Sequence, residues 1–296
     1  MRVAPQLRRY SEAELVDLIR RGLARVDGDA IVPTIIGGMP APPLSQNFDG
    51  GGGSDGTVIS AANTGGGGQT AVSTTTNPTI QTFSSLQAAH GSLSMRILQT
   101  ATPASTRWDW TGLGSITTSV WFRCYLRIPA LPGAGTQFIF AGARTSAAAL
   151  TSQLTIESDG FITMTKADAT VALQGAVAVS TNQWFRVEFR VLSSTTVGEC
   201  EYWLYKTMDS STADEHLVSG SNLILGANTD QIRWGQVSNS IASYESFHDD
   251  IAVSSTGLIG PVGGGGGPFT GEPTDKPDLR GPIPQLYVTR RRPIRD

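Results

Sequence analysis

The sequence predicts an all-β chain whose centre is an antiparallel two-sheet sandwich, with a short N-terminal helix and extended Gly/Pro-rich segments at both ends. Three observations predict it. Between residues 79 and 254 apolar and polar side chains alternate with period two in ten or more short runs. Turn residues such as Pro132-Gly133, Ser158-Asp159-Gly160 and Asn239-Ser240 separate those runs. Helical spacing of apolar residues is nearly confined to the N-terminus, and many short strands with almost no helix make a sandwich rather than a parallel sheet.

The helix comes first. Ser11 can cap it, Glu14 completes the capping-box spacing, and Tyr10 with Leu15 can form a hydrophobic staple. Leu15, Leu18, Ile19, Leu23 and Val26 then recur at helical spacing, with Arg20, Arg21 and Arg25 on the other face and Gly28 as the stop. An isolated helix of this length is marginal, so its stripe needs a partner, either the chain's own body or a neighbouring subunit. Residues 31–69 run through Pro33, Gly37-Gly38, Pro42-Pro43 and Gly50 to Gly53, and read as a linker.

The sandwich is predicted over residues 70–261. Val120, Phe122, Cys124, Leu126 and Ile128 point one way and Trp121, Arg123, Tyr125 and Arg127 the other. The same grammar places Phe185, Val187, Phe189 and Val191 against Trp184, Arg186, Glu188 and Arg190. Gln153–Glu157 and Phe161–Lys166, joined by Ser-Asp-Gly, form the clearest hairpin. Residues 262–296 are a Gly/Pro-rich arm ending in Leu286, Tyr287, Val288, Thr289, Arg290, Arg291 and Arg292, a run that reads equally as a strand added to another chain's sheet edge or as a disordered basic tail.

Composition narrows the function classes. Glycine supplies 34 of 296 residues and the net charge is 22 − 25 = −3. The acids concentrate in the body while both ends are weakly basic, which argues against nucleic acid, whose phosphates need a basic folded face. No apolar run is long enough for a membrane span. The polar start after Met1-Arg2 does not read as a secretory leader. Cys124 and Cys200 are expected to be reduced thiols.

The phrases Phe48-Asp49-Gly50, Ala88-Ala89-His90-Gly91-Ser92-Leu93-Ser94, Trp121 to Leu126, Asn182 to Glu188 and Phe247-His248-Asp249-Asp250-Ile251-Ala252-Val253 resemble the concanavalin A-like (laminin-G-like) jelly rolls of virion proteins from tailed phages of actinobacteria. The likeness covers roughly residues 45–261. It implies a jelly-roll fold and a structural protein of the virion, assembled in the host cytoplasm. A tail tip or fibre is the first reading, with capsid decoration as the alternative and a lectin or glycoside hydrolase as the rival of another class. Other virion proteins would be the partners, contacted through Leu15, Leu18, Ile19, Val26 and the Leu286 to Arg292 run. By analogy with viral appendages the chain would form a homo-oligomer such as a trimer.

Catalytic candidates are thin. A jelly-roll glycosidase places paired carboxylates on one strand, and Glu199-Cys-Glu201 is the nearest approach. His90, His216 and His248 stand far apart with no zinc-ligand spacing. No enzyme is therefore expected. Trp121, Tyr125, Trp203 and Tyr205 are the candidates for stacking against a host cell-wall glycan, because a sugar's apolar face packs on an aromatic ring. Asp249 and Asp250 are the candidate metal ligands. One carboxylate would turn outward toward Ca²⁺, or the pair would serve a structural role, hydrogen-bonded or paired with Arg123 or Arg186.

Overall fold

The computed structural model of the chain describes residues 24–27, 30–33, 44–49, 52–65, 72–75, 81–99, 106–236 and 244–262. It divides into two units, Ala41–Thr270 and one made of Met1–Pro40 with Gly271–Asp296. In the second unit the described part is a hairpin, β1 (Ala24–Asp27) and β2 (Ala30–Pro33), with Val26 opposite Ile31. The expected helix therefore does not extend to Val26. The β-branched Val26, Ile31 and Val32 favour extended strands over a helix here. Leu15, Leu18, Ile19 and the Leu286 to Arg292 run lie outside the described residues.

The larger unit starts with β3 (Leu44–Gln46), a single helical turn α1 (Ala61–Thr64), β4 (Ser73–Thr75), β5 (Gln81–Ser84), β6 (Ser94–Gln99), β7 (Thr106–Ile116) and β8 (Ser119–Arg127). Then come β9 (Phe138–Arg144), β10 (Leu150–Ile156), β11 (Ile162–Lys166), β12 (Val171–Gln174), β13 (Trp184–Leu192), β14 (Glu199–Tyr205), β15 (Glu215–Val218), β16 (Thr229–Gln236) and β17 (Tyr244–Ser254). One sheet has the order β12-β11-β10-β9-β16-β7-β4. The other runs β15-β14-β13-β8-β17-β6-β5, with β3 also paired to β17. Every pairing is antiparallel, as the alternating pattern requires. This is the expected two-sheet jelly-roll sandwich.

Its core is what period two dictates. Val120, Phe122, Cys124, Leu126 and Ile128 are fully buried, as are Val187, Phe189 and Val191. From the facing sheet, Trp234 stacks on Trp108 at 5.5 Å and meets Phe189 and Phe122 edge-on at 5.9 and 6.5 Å. These aromatic contacts tie sheet to sheet. The hairpin predicted at Ser158-Asp159-Gly160 is present, with Ile156 opposite Ile162 and Gly160 at φ +86°.

The predicted linker gives part of itself to the body. Phe48 and Ile59 are fully buried, and Phe48 packs edge-on against Phe83 and Trp108. Gln46 Nε2 donates to Thr64 O at 2.6 Å. The sandwich thus begins before residue 70, because three short phrases in a Gly-rich stretch carry apolar anchors too sparse to show periodicity. Cys124 and Cys200 are both free and buried. Burial holds the Cys124 thiol well above its ordinary pKa and pushes Cys200 up to about 12.

Candidate functional site

The face of the larger sheet turned away from the core carries the chemistry. Register sets Tyr205, Arg186, Tyr125 and Asp249 in one row across β14, β13, β8 and β17. The next row holds His216, Trp203, Glu188 and Arg123, and the next Val218, Glu201, Arg190 and Trp121.

The first row is closed over by three loops. Arg186 Nη1 and Nη2 donate to Met208 O and Ser210 O at 2.6 and 2.9 Å, and its guanidinium lies 3.7 Å over the Tyr205 ring. Glu188, 3.0 Å from Arg186 Nε, accepts from Ile259 N and Gly260 N. Arg123 donates to Asp250 O and Gly260 O, and Tyr125 accepts from Val262 N while donating to Asp209. Arg186 and Glu188 are both 0% exposed. Burial pushes the Glu188 carboxyl up, against the opposing pull of Arg186 and the two backbone N–H groups. Tyr125 and Tyr205 are as deeply buried, and burial pushes each phenol up to about 12. Neither ring can stack on a sugar, which corrects the expectation for both. Alternation aims them outward, but distant loops meet Tyr125 at Asp209 and Val262, and the Arg186 guanidinium covers Tyr205.

Asp249 and Asp250 sit at a β-bulge between β17 and β8, with Asp250 at φ +44°. Strict alternation would send one carboxylate each way. The bulge instead brings both to the loop around His90. Asp249 Oδ2 accepts from Ala89 N at 2.9 Å, and Asp249 Oδ1 accepts from Asp250 N at 2.8 Å. Asp250 Oδ2 lies 2.5 Å from His90 Nδ1, whose Nε2 is 3.2 Å from Asp209. Burial first, then the charge of Asp250, pushes Asp249 well above the usual carboxylate range. Asp250 rises too, chiefly from burial and against the pull of His90. Among the described residues no group of three or more His, Cys, Asp or Glu is arranged to hold a metal ion. The geometry supplies the hydrogen-bonded, structural version of this pair.

The third histidine, His248, belongs to the core. It bonds Ser246 at 3.0 Å and lies 3.7 Å from the Cys124 sulfur, and burial pulls its pKa down to about 3.

The other end of the outward face is more open. Trp121 and Trp203 are half-buried there, whereas Trp108, Trp110 and Trp234 belong to the core. Trp121 and Trp203 stand two strands apart and two residues out of line, roughly 12 Å at sheet spacings. Between them Arg190 bonds Glu201 through Nε at 2.5 Å and Glu199 through Nη2. His216 Nε2 lies 2.7 Å from Glu201, and the His216 ring stacks on one side of Trp203 at 4.8 Å and 12°. Glu199 and Glu201 are thus engaged by basic partners. Arg190 and His216 carried no signal in the sequence beyond their place in an alternating strand.

No protein-family model matches the chain, and no curated protein matches it. Among solved structures it is similar to the cellulose-induced protein Cip1 at 14% identity, covering 73% of this chain and 99% of that one with a TM-score of 0.47. It is also similar to the receptor-binding domain of botulinum neurotoxin type G, at 8% identity and a TM-score of 0.45, over 71% of this chain and 46% of that one. An alginate lyase of polysaccharide lyase family 7, AlgAT5, matches at 10% identity and a TM-score of 0.39, over 54% and 77%. The chain spans about half the length of the botulinum domain.

Proposed function

We propose that this chain is a non-catalytic binding module that presents its sandwich to a surface glycan, carried on the virion of a tailed phage by its terminal segments. The observation that supports the glycan reading is the Trp121–Trp203 pair. Two indoles share one sheet face with a spacing suited to a short saccharide, and a clamped Arg190 lies between them as a fixed hydrogen-bond donor. Engagement of Glu199 and Glu201 by Arg190 and His216 favours a binding role over a hydrolytic one, since a glycosidase needs one carboxyl free to give a proton and another free to attack. The virion setting rests on the sequence resemblance, with the tail as first choice over capsid decoration.

A glycan array probed with the full chain tests the first part. Signal is expected with the parent protein and at least tenfold less with Trp121→Ala/Trp203→Ala, whereas no signal, or signal indifferent to the double substitution, refutes it. Deleting residues 1–40 tests the second part. The truncated chain should fail to enter particles, and normal incorporation would refute the virion reading.

A further inference from the structure

The smaller sheet carries a separate polar face that the tryptophan pair does not explain. Asp109, Arg233, Gly142, Gln153 and Thr165 lie in one row across β7, β16, β9, β10 and β11. Arg107 shares β7 with Asp109, and Arg144 stands opposite Gln231, two residues from Arg233. The alternate residues Trp108, Ile232, Trp234, Ala141, Leu154 and Met164 all belong to the core, so these polar groups point the other way.

Two guanidinium groups here flank one carboxylate, and a third, Arg144, is near enough to be repelled by both. Arg233 Nε and Arg107 Nε lie 3.2 and 3.5 Å from the same oxygen, Asp109 Oδ1. Arg144 donates from Nη1 to Ala148 O at 2.8 Å. Burial first, then repulsion from Arg233 and Arg107, pushes Arg144 down to about 10, with Asp109 opposing. Arg233 is pushed down for the same leading reason. Clustered, partly desolvated cations repel one another, and an anion bound between Arg144 and Arg233 would relieve that repulsion. A second observation points to a hydroxyl-bearing ligand. Thr163 and Thr165 share this face, are more than nine-tenths buried, and their hydroxyls make no hydrogen bond among the described residues.

We propose that this face binds an acidic saccharide, its carboxylate held by Arg144 and Arg233 and its ring hydroxyls by Gln153, Thr163 and Thr165. Guanidinium forks match a carboxylate in two-point geometry. From β16 to β11 the row extends roughly 14 Å, three strand spacings, which suits an oligosaccharide better than a lone anion. The site lies on the opposite sheet from Trp121 and Trp203 and does not depend on them.

Calorimetric titration of the full chain tests the assignment, with tetrasaccharides containing galacturonate, mannuronate or glucuronate. The methyl ester of the galacturonate tetramer and inorganic phosphate serve as comparison ligands. At least one acidic tetrasaccharide should bind, with affinity falling as salt is raised. The galacturonate ester should bind more weakly than its acid by at least about tenfold, as loss of a charge-assisted pair requires. Arg144→Gln should weaken binding of the acid by roughly ten- to a hundredfold with the unfolding midpoint little changed, because relief of the repulsion offsets the lost bond to Ala148 O. Arg144→Lys should be intermediate, and it keeps the test usable if the glutamine variant folds poorly. Trp121→Ala should leave this binding unchanged. The proposal is overturned if none of the acids binds, if acid and ester bind alike, if Arg144→Gln costs nothing, or if phosphate binds as tightly as the tetrasaccharide.

Discussion

Glu188→Ala should be among the most damaging single substitutions in the sandwich. The carboxylate accepts from Ile259 N at 2.9 Å and Gly260 N at 3.1 Å and faces Arg186 Nε at 3.0 Å, with both side chains wholly out of water. Its removal strands a buried guanidinium and leaves two backbone donors without acceptors. Breaking one side of a buried ion pair costs about 3–5 kcal/mol, and an orphaned donor about 1–3 kcal/mol, with overlap between the two. A loss of about 4 kcal/mol is therefore expected, or roughly 10 °C in melting midpoint for a domain of this size. Removing both charges with Arg186→Met/Glu188→Leu should recover part of that loss, because the lone charge disappears. Recovery stays incomplete, since Met208 O and Ser210 O also lose their donors. Guanidinium denaturation of the full chain, followed by tryptophan fluorescence, measures Glu188→Ala, Arg186→Met, Glu188→Leu and the double variant against the parent. A Glu188→Ala cost below about 1 kcal/mol, or a double variant as unstable as the two singles summed, would refute the argument that this pair holds the loops down.

Three further outcomes follow from the geometry. His248 is buried and neutral with its pKa pulled down to about 3, so the unfolded chain binds a proton that the native one refuses. Between pH 6.5 and 3 its contribution to stability should fall by up to about 1.4 kcal/mol per pH unit, and the pH slope of stability should flatten correspondingly in His248→Gln. The raised Asp249 and Asp250 have the opposite sign, stabilising the fold as pH falls through their native values toward 3.8. Comparison of parent and variant at each pH cancels their effect. Gly91→Ala should destabilise the fold by about 2 kcal/mol or more, because Gly91 sits at φ +66° and a Cβ there would collide with the Asp49 carboxylate that accepts from Ser92 N and Leu93 N. Cys124 and Cys200 should resist a thiol reagent in the native protein and react once denaturant is added, and fast native labelling would contradict their burial.

The strands that read most clearly were those with a strict apolar alternation, such as β8 and β13, where every predicted inward residue is buried. What alternation could not show is the fate of the outward residues. Tyr125, Tyr205, Arg186 and Glu188 look solvent-facing in sequence, yet loops separated by as many as 137 positions lie over them. The bulge at Asp249 and Asp250 was equally invisible, since one unpaired residue inverts the facing of all that follow. β3 escaped notice because a three-residue strand has no period to detect. On the candidate binding face the polar neighbours of Trp121 and Trp203 marked them as more open than the core tryptophans, and both are half-buried. The arginine set of the smaller sheet was not, because Arg107, Arg144 and Arg233 come from three strands that only register brings together.

β3 and β17 are the first and last strands of the sandwich, and they are hydrogen-bonded neighbours, with Leu44 beside Val253 and Gln46 beside Ile251. Tension applied through the chain on both sides of the sandwich would act on the same end of this short antiparallel pair. Such a load opens the rungs one after another, like a zip, instead of shearing them all at once. On the C-terminal side that load reaches the pair only after residues 259–262 leave Glu188, Arg123 and Tyr125, so the buried ion pair guards the zip from one side.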